Sequence, residues 1–253
     1  MRTKVVIIGF GTMGKAITKT ITKKDPKISV FSIDKDKPNI NNFIQKVKEA
    51  DFLILATKPQ ESKEAIGEIK NYLNKKTIII SIMAGVSIKE LVHLSGHKKI
   101  IRMMPNLGLS VGYGIAAWKG IGISGVEKKK AKNFINKITE NFEVKNEDTI
   151  NKVTAISGSG PAYFFLLADC LMQVCGDLGF NKNESRKLVE NTFLASALLA
   201  KEDDYSSLVK KVASKGGTTE AALDVFQKEN LKGIVSKAVK ASYKRAKELS
   251  QDK

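Results

Sequence analysis

Gly9-x-Gly11-x-x-Gly14 stands between a short apolar run, Lys4–Ile8, and a segment of helical character, Met13–Thr22. Glycines at this spacing allow a tight turn and a close backbone approach to a pyrophosphate, which then sits on the N-terminus of the following helix. Phe10, Thr12 and Met13 complete the turn and are candidate cofactor contacts beside Gly9, Gly11 and Gly14. Some twenty residues on, Asp34 closes a second strand, where an acid normally accepts from an adenine-ribose 2′-hydroxyl and repels a 2′-phosphate. Lys35 and Lys37 adjoin it and offer pairing with that phosphate, so NAD and NADP both stay open; Asp34–Pro38 also reads as a plain surface turn.

Two further runs of small, hydrogen-bonding residues precede apolar helical segments: Ser157-Gly158-Ser159-Gly160-Pro161-Ala162-Tyr163 and Ser214-Lys215-Gly216-Gly217-Thr218-Thr219. A helix N-terminus with free N–H groups is a ready anion site. With the first glycine turn, they suggest a protein that holds a dinucleotide and a small carboxylate. Ala56-Thr57-Lys58-Pro59-Gln60 follows a third strand, where open α/β sheets bind ligands. Pro59 stiffens that loop, and Lys58 has the reach for a ribose or phosphate. Asn106, after Arg102–Pro105, is a candidate to orient a carboxamide or its own loop backbone.

The missing groups are informative as well. The two histidines, His93 and His97, fall in one polar turn, and no Cys, His or carboxylate spacing suits a metal. Oxidising an alcohol normally needs a positioned base. A basic imine, by contrast, arrives already protonated and accepts hydride directly. A cofactor turn, anion-holding backbone and no obvious acid–base residue therefore fit imine reduction.

The elements that must position these residues alternate in the first half. Lys4–Ile8, Ile28–Ile33, Phe52–Ala56, Thr77–Ile82 and Lys99–Met103 read as short apolar strands separated by helical segments, the signature of a doubly wound parallel sheet. After Glu147 the pattern is helical. The expected architecture is α/β, a Rossmann-like dinucleotide-binding domain over 1–150 and an all-helical substrate-binding and dimerisation domain over 151–253. Tyr163–Leu178 is apolar nearly all round and calls for burial on several sides, which an intertwined dimer would supply.

Composition narrows the class further. The 253 residues are 42% hydrophobic and 27% charged, as in ordinary globular proteins. Formal charge is +17, but arginine occurs only at Arg2, Arg102, Arg186 and Arg245, and the lysines are scattered. That distribution points to a solvated basic surface attractive to anionic ligands rather than to a nucleic-acid partner. No run of consecutive apolar residues suggests a membrane span, and the start reads as a strand rather than a leader, so a cytoplasmic location is expected. Cys170 and Cys175 point different ways on one helical stretch and read as buried free thiols.

With these motifs assembled, the chain resembles pyrroline-5-carboxylate reductase along essentially its whole length. The resemblance rests on Met13–Ile17, Ala56–Gln60, Ser81-Ile82-Met83-Ala84-Gly85-Val86, Arg102–Asn106, Val153–Tyr163 and Ser214–Thr219. It implies NADPH-dependent (or NADH-dependent) reduction of 1-pyrroline-5-carboxylate to L-proline by a homodimer or higher homo-oligomer. It also implies cofactor contacts at the glycine turn, at Ala56–Pro59 and at Met83 and Ala84. The substrate carboxylate would lie on Ser214, Gly216, Gly217, Thr218 and Thr219, with Thr219 also near the ring nitrogen and Glu147 nearby. Lys215 stands where the family usually has proline, and Leu107-Gly108 where threonine and proline are common. Two other classes compete: a β-hydroxyacid dehydrogenase and a non-catalytic dinucleotide sensor. The first needs a lysine that Pro161–Cys170 lacks; the second is disfavoured by the intact Gly216–Thr219 run.

Overall fold

The computed structural model describes residues 2–34 and 40–251. Its centre is a sheet of strands β1 (Lys4–Ile8), β2 (Ser29–Ile33), β3 (Phe52–Leu55), β4 (Ile78–Ser81), β5 (Ile100–Pro105), β6 (Ile115–Ile121) and β7 (Glu140–Glu143). Their spatial order is β2-β1-β3-β4-β5-β6-β7. Strands β1 to β5 run parallel, β6 returns antiparallel against β5, and β7 lies parallel to β6.

Side-chain alternation divides the strands between two apolar layers. Val5, Ile7, Phe52 and Ile54 enter one core with Ile17 and Ile21 of α1 (Thr12–Lys24). Val6, Ile8, Leu53 and Leu55 enter the other with Phe43 and Val47 of α2 (Ile40–Glu49), Ile66 and Ile69 of α3 (Ser62–Ile69) and Leu91 of α4 (Ile88–Ser95). Burying such a side chain contributes about 1.5–3 kcal/mol against the ordering entropy of the chain. α5 (Gly125–Ile138) covers the first face; Ser124 and Glu127 close a capping box, and Phe134 stacks on Phe52. The expected Rossmann-like sheet is present. Strands β6 and β7 add to the five read from sequence.

α6 (Asp148–Val153) runs through a π turn, Thr154–Gly158, into α7 (Gly160–Asp177). α8 (Lys182–Leu199), α9 (Tyr205–Val212), α10 (Thr218–Lys228) and α11 (Leu231–Gln251) follow. The compact units are Met1–Ser159 with Ala241–Lys253, and Gly160–Lys240. The first unit thus holds α6 and the end of α11. Ile150 is fully buried beside Met104 and Ala117 in a third apolar cluster, which ties α6 to the sheet.

In the second unit α7 packs on α8, with Phe164 edge-on to Phe193. Much of its apolar surface is open: Phe165 is 60% exposed, Leu166 65% and Leu178 72%. Cys170 is exposed and Cys175 half-buried, so neither is the buried thiol expected from the sequence. α8 covers only part of a helix that is apolar nearly all round. The helical run Asp148–Asp177 is also long and apolar enough, by length and composition, to cross a membrane. Sequence inspection missed it because α6 and the π turn lengthen α7.

Candidate functional site

The cofactor candidates meet where the strand order reverses, between β1 and β3, which is where open α/β sheets bind ligands. A cleft of about 380 Å³ opens there, lined by Gly9, Phe10, Gly11, Asp34, Thr57 and Lys58 among others. Gly9 adopts φ +94°, and a Cβ on it would come within 2.6 Å of the backbone of Ala56 and Thr57. The two loops therefore touch through bare backbone. A Cβ on Gly14 would lie 2.1 Å from the carbonyl oxygen of Gly9, so α1 can seat on the turn only with glycine there.

Gly11 differs from both, because nothing lies within 4 Å of its imaginary Cβ. It is the N-cap of α1, no side chain caps that helix, and its first turn carries no acid. Free N–H groups, the positive helix end and open space fit a dinucleotide pyrophosphate. Thr12 is exposed, whereas Met13 is half-buried and packs on the core behind the turn. The Lys15 ammonium sits 5.7 Å from the Phe10 ring centre.

Asp34 is exposed on the cleft wall; Lys35 lies outside the described residues. Lys58 is exposed and precedes the short 3₁₀ turn that Pro59 begins. Met83 is buried to 2% and its sulfur accepts from the Thr57 hydroxyl at 3.4 Å, which joins the loops after β3 and β4. Its side chain is thus spent on the core. Ala84 is half-buried and packs on the third apolar cluster. The Asn106 side-chain oxygen accepts from the Ile115 N–H at 3.2 Å, and so holds its own loop backbone.

The second unit carries the carboxylate candidates. Gly217 is the N-cap of α10 without a side-chain cap, and its N–H bonds the Ser214 carbonyl at 3.0 Å. Gly216 takes φ +72°, which favours glycine, and a Cβ on Gly217 would lie 3.0 Å from the Ser214 carbonyl oxygen, so the turn is tight there. Ser214 and Thr218 are exposed, Thr219 half-buried. The Gly216 N–H donates to the Glu220 carboxylate at 2.6 Å. Sequence reasoning overlooked Glu220, although its third place in the helix is where an acid reaches back to cap.

One expectation changes here. Ser157–Tyr163 does not open a helix with free donors. The Ser159 N–H bonds the Thr154 carbonyl at 2.8 Å, and the π turn carries α6 onward into α7. Glu147, expected beside the substrate, accepts from Arg102 at 2.9 Å and from the Ile88 N–H at 2.8 Å. Arg102 had no role assigned from sequence. It is 1% exposed, and its other amino group donates to Asn151 at 2.8 Å.

The end of α11 packs on the same region. The Tyr243 hydroxyl donates to Asp148 at 2.6 Å, which holds that carboxyl below its ordinary range and raises the phenol above its own. Ser250 donates to Asn151 at 3.3 Å.

Residues 147–249 match the family described as pyrroline-5-carboxylate reductase dimerisation, and residues 4–85 that described as NADP oxidoreductase, coenzyme F420-dependent. Pyrroline-5-carboxylate reductase of Aquifex aeolicus is 33% identical over 261 residues, covering 97% of each chain. A solved pyrroline-5-carboxylate reductase from Coxiella burnetii aligns with TM-score 0.85 and 31% identity over 99% of each chain. The Plasmodium falciparum pyrroline carboxylate reductase, solved with NADP bound, aligns with TM-score 0.87 and 27% identity over 98% of each chain.

Proposed function

The chain belongs to the pyrroline-5-carboxylate reductase family and reduces 1-pyrroline-5-carboxylate to L-proline with NAD(P)H; we propose that its two glycine turns divide the two ligands between them. In this reading the α1 turn, Gly9 to Gly14, holds the cofactor pyrophosphate, and Asp34 and Lys35 adjoin the adenine ribose. Ala56, Thr57, Lys58 and Pro59 flank the cofactor, with Met83 and Ala84 beyond. Asn106 secures the neighbouring loop. NADPH is the cofactor. When bound, it supplies hydride to the ring carbon of the imine.

The chain's own residues bind and orient. Ser214, Gly216, Gly217, Thr218 and Thr219 form the turn that grips the substrate carboxylate at the positive end of α10, with the Gly216 N–H among its donors. Thr219 also lies near the ring nitrogen. A substrate that arrives as an iminium ion needs no base from the protein, and catalysis is positioning in a field of fixed dipoles. The observation that carries the cofactor half is the uncapped N-terminus of α1 opening on the cleft beside Gly11.

The helical part makes the molecule a homo-oligomer. We assign it an intertwined dimer or a larger assembly of such dimers, built on the open face of α7, and a place in the cytoplasm without nucleic-acid or membrane partners. Thr219→Ala tests the substrate half. It should raise the KM for pyrroline-5-carboxylate about tenfold, as expected for one hydrogen bond to a charged group, and leave the KM for NADPH near wild type. Equal effects on both constants would remove Thr219 from the carboxylate site.

A further inference from the structure

The loop after β4 has little in its own sequence to hold it. Gly85 takes φ +72°, and between Ser81 and the cap of α4 the loop makes no turn of regular helix. It is held from outside at several points. Glu147 accepts the Ile88 N–H at 2.8 Å, just past the cap residue Ser87. Ala84 packs on the apolar cluster that contains Met104 and Ile150. Leu249 of α11 lies against Gly85 so closely that a Cβ there would fall 2.6 Å from it.

One buried cation joins these points. Arg102 pairs with Ser81 across β4 and β5, directly beneath the start of the loop. Its two amino groups grip Glu147, the N-cap residue of α6, and Asn151 four residues on, and Asn151 also takes the Ser250 hydroxyl of α11. The Arg102 Nε is buried without a hydrogen-bond partner. A buried guanidinium with an unsatisfied donor is a poor source of stability, since an apolar side chain of like size would do as well or better. What the planar guanidinium adds is a fixed fork that sets two acceptors at a defined spacing.

We propose that Arg102, Glu147 and Asn151 are positioning residues for the Met83–Gly85 loop, fixing the cofactor side of the site from beneath while Leu249 seats Gly85 from above. The inference rests on the reading that this loop takes part in cofactor binding. It reassigns Glu147 from substrate contact to cofactor positioning. It also makes the last turns of α11 part of the cofactor half of the molecule.

The test is NADPH affinity of the full-length protein without substrate, followed by fluorescence titration, beside thermal stability and the KM for pyrroline-5-carboxylate. Glu147→Ala and Arg102→Lys should each weaken NADPH about tenfold and leave the substrate KM within about twofold. Glu147→Gln keeps the oxygen that accepts from Ile88 and should recover most of that loss, although it leaves Arg102 without a counter-charge and lowers thermal stability. Phe134→Leu, in the core away from the loop, should lower stability with NADPH affinity intact. Loss of affinity in proportion to stability across all four variants would overturn the proposal. So would a Glu147→Ala defect confined to the substrate KM. Gly85→Ala separates the two failures. If it weakens NADPH while Glu147→Ala does not, the network is refuted and the loop's role stands. If neither does, the loop is not a cofactor contact.

Discussion

Glu220 is the most unexpected side chain of the substrate turn. Its carboxylate takes the Gly216 N–H, a donor assigned to the carboxylate of the substrate. The helix cap and the ligand therefore compete for one group, and binding must displace an internal acid. Glu220→Gln should lower the substrate KM roughly threefold, because a neutral amide is the weaker competitor for that N–H; steady-state kinetics at saturating NADPH will show it. An unchanged KM would mean that Gly216 does not serve the substrate. At this level of detail the sequence was partly legible. The Ser214–Thr219 run is legible from type and spacing alone as a glycine turn before a helix. The buried role of Arg102 was not, because nothing in a strand sequence tells a charged side chain turned inward from one turned to water.

The glycine turn and α1 give the sharpest contrast between neighbours. Gly14 faces the Gly9 carbonyl at a distance no Cβ tolerates, while Gly11 faces open space with an ordinary φ of −70°. Gly14→Ala should force the helix off the turn, lowering both thermal stability and NADPH affinity. Gly11→Ala should leave stability within about 0.5 kcal/mol of wild type and still weaken NADPH, since the new methyl occupies cleft rather than core. Parallel melting curves and NADPH titrations check this, and two variants that behave alike would contradict the assignment. Strands β1 to β5 were readable because they are apolar and rich in β-branched residues, with β3 to β5 wholly buried and β2 half-buried at the sheet edge. Strand β6, with its two alanines and a glycine, and β7, a polar edge of Glu140-Asn141-Phe142-Glu143, carry no such signal. Only pairing within the sheet defines them. The run Ser157–Tyr163 marks the start of the long apolar helix, but the π turn that leads into it and takes up the Ser159 N–H is not announced by composition.

For the molecule as a whole, the open apolar face of α7 makes the single chain an incomplete object. Exposed patches of this kind mark interfaces, and residues 147–249 match a dimerisation family. Phe165 is 60% exposed, so Phe165→Glu leaves the interior of the chain undisturbed, yet it places a charge where a partner would cover it. It should weaken assembly at least roughly a hundredfold, giving a smaller species by light scattering and a parallel loss of reductase activity. Wild-type assembly in that variant would put the interface elsewhere. The central claim is tested most directly by incubating the purified protein with 1-pyrroline-5-carboxylate and NADPH, and in parallel NADH, while following nicotinamide oxidation and L-proline together. The account predicts one proline formed for each NADPH oxidised. Cofactor binding without turnover on either nicotinamide would contradict it.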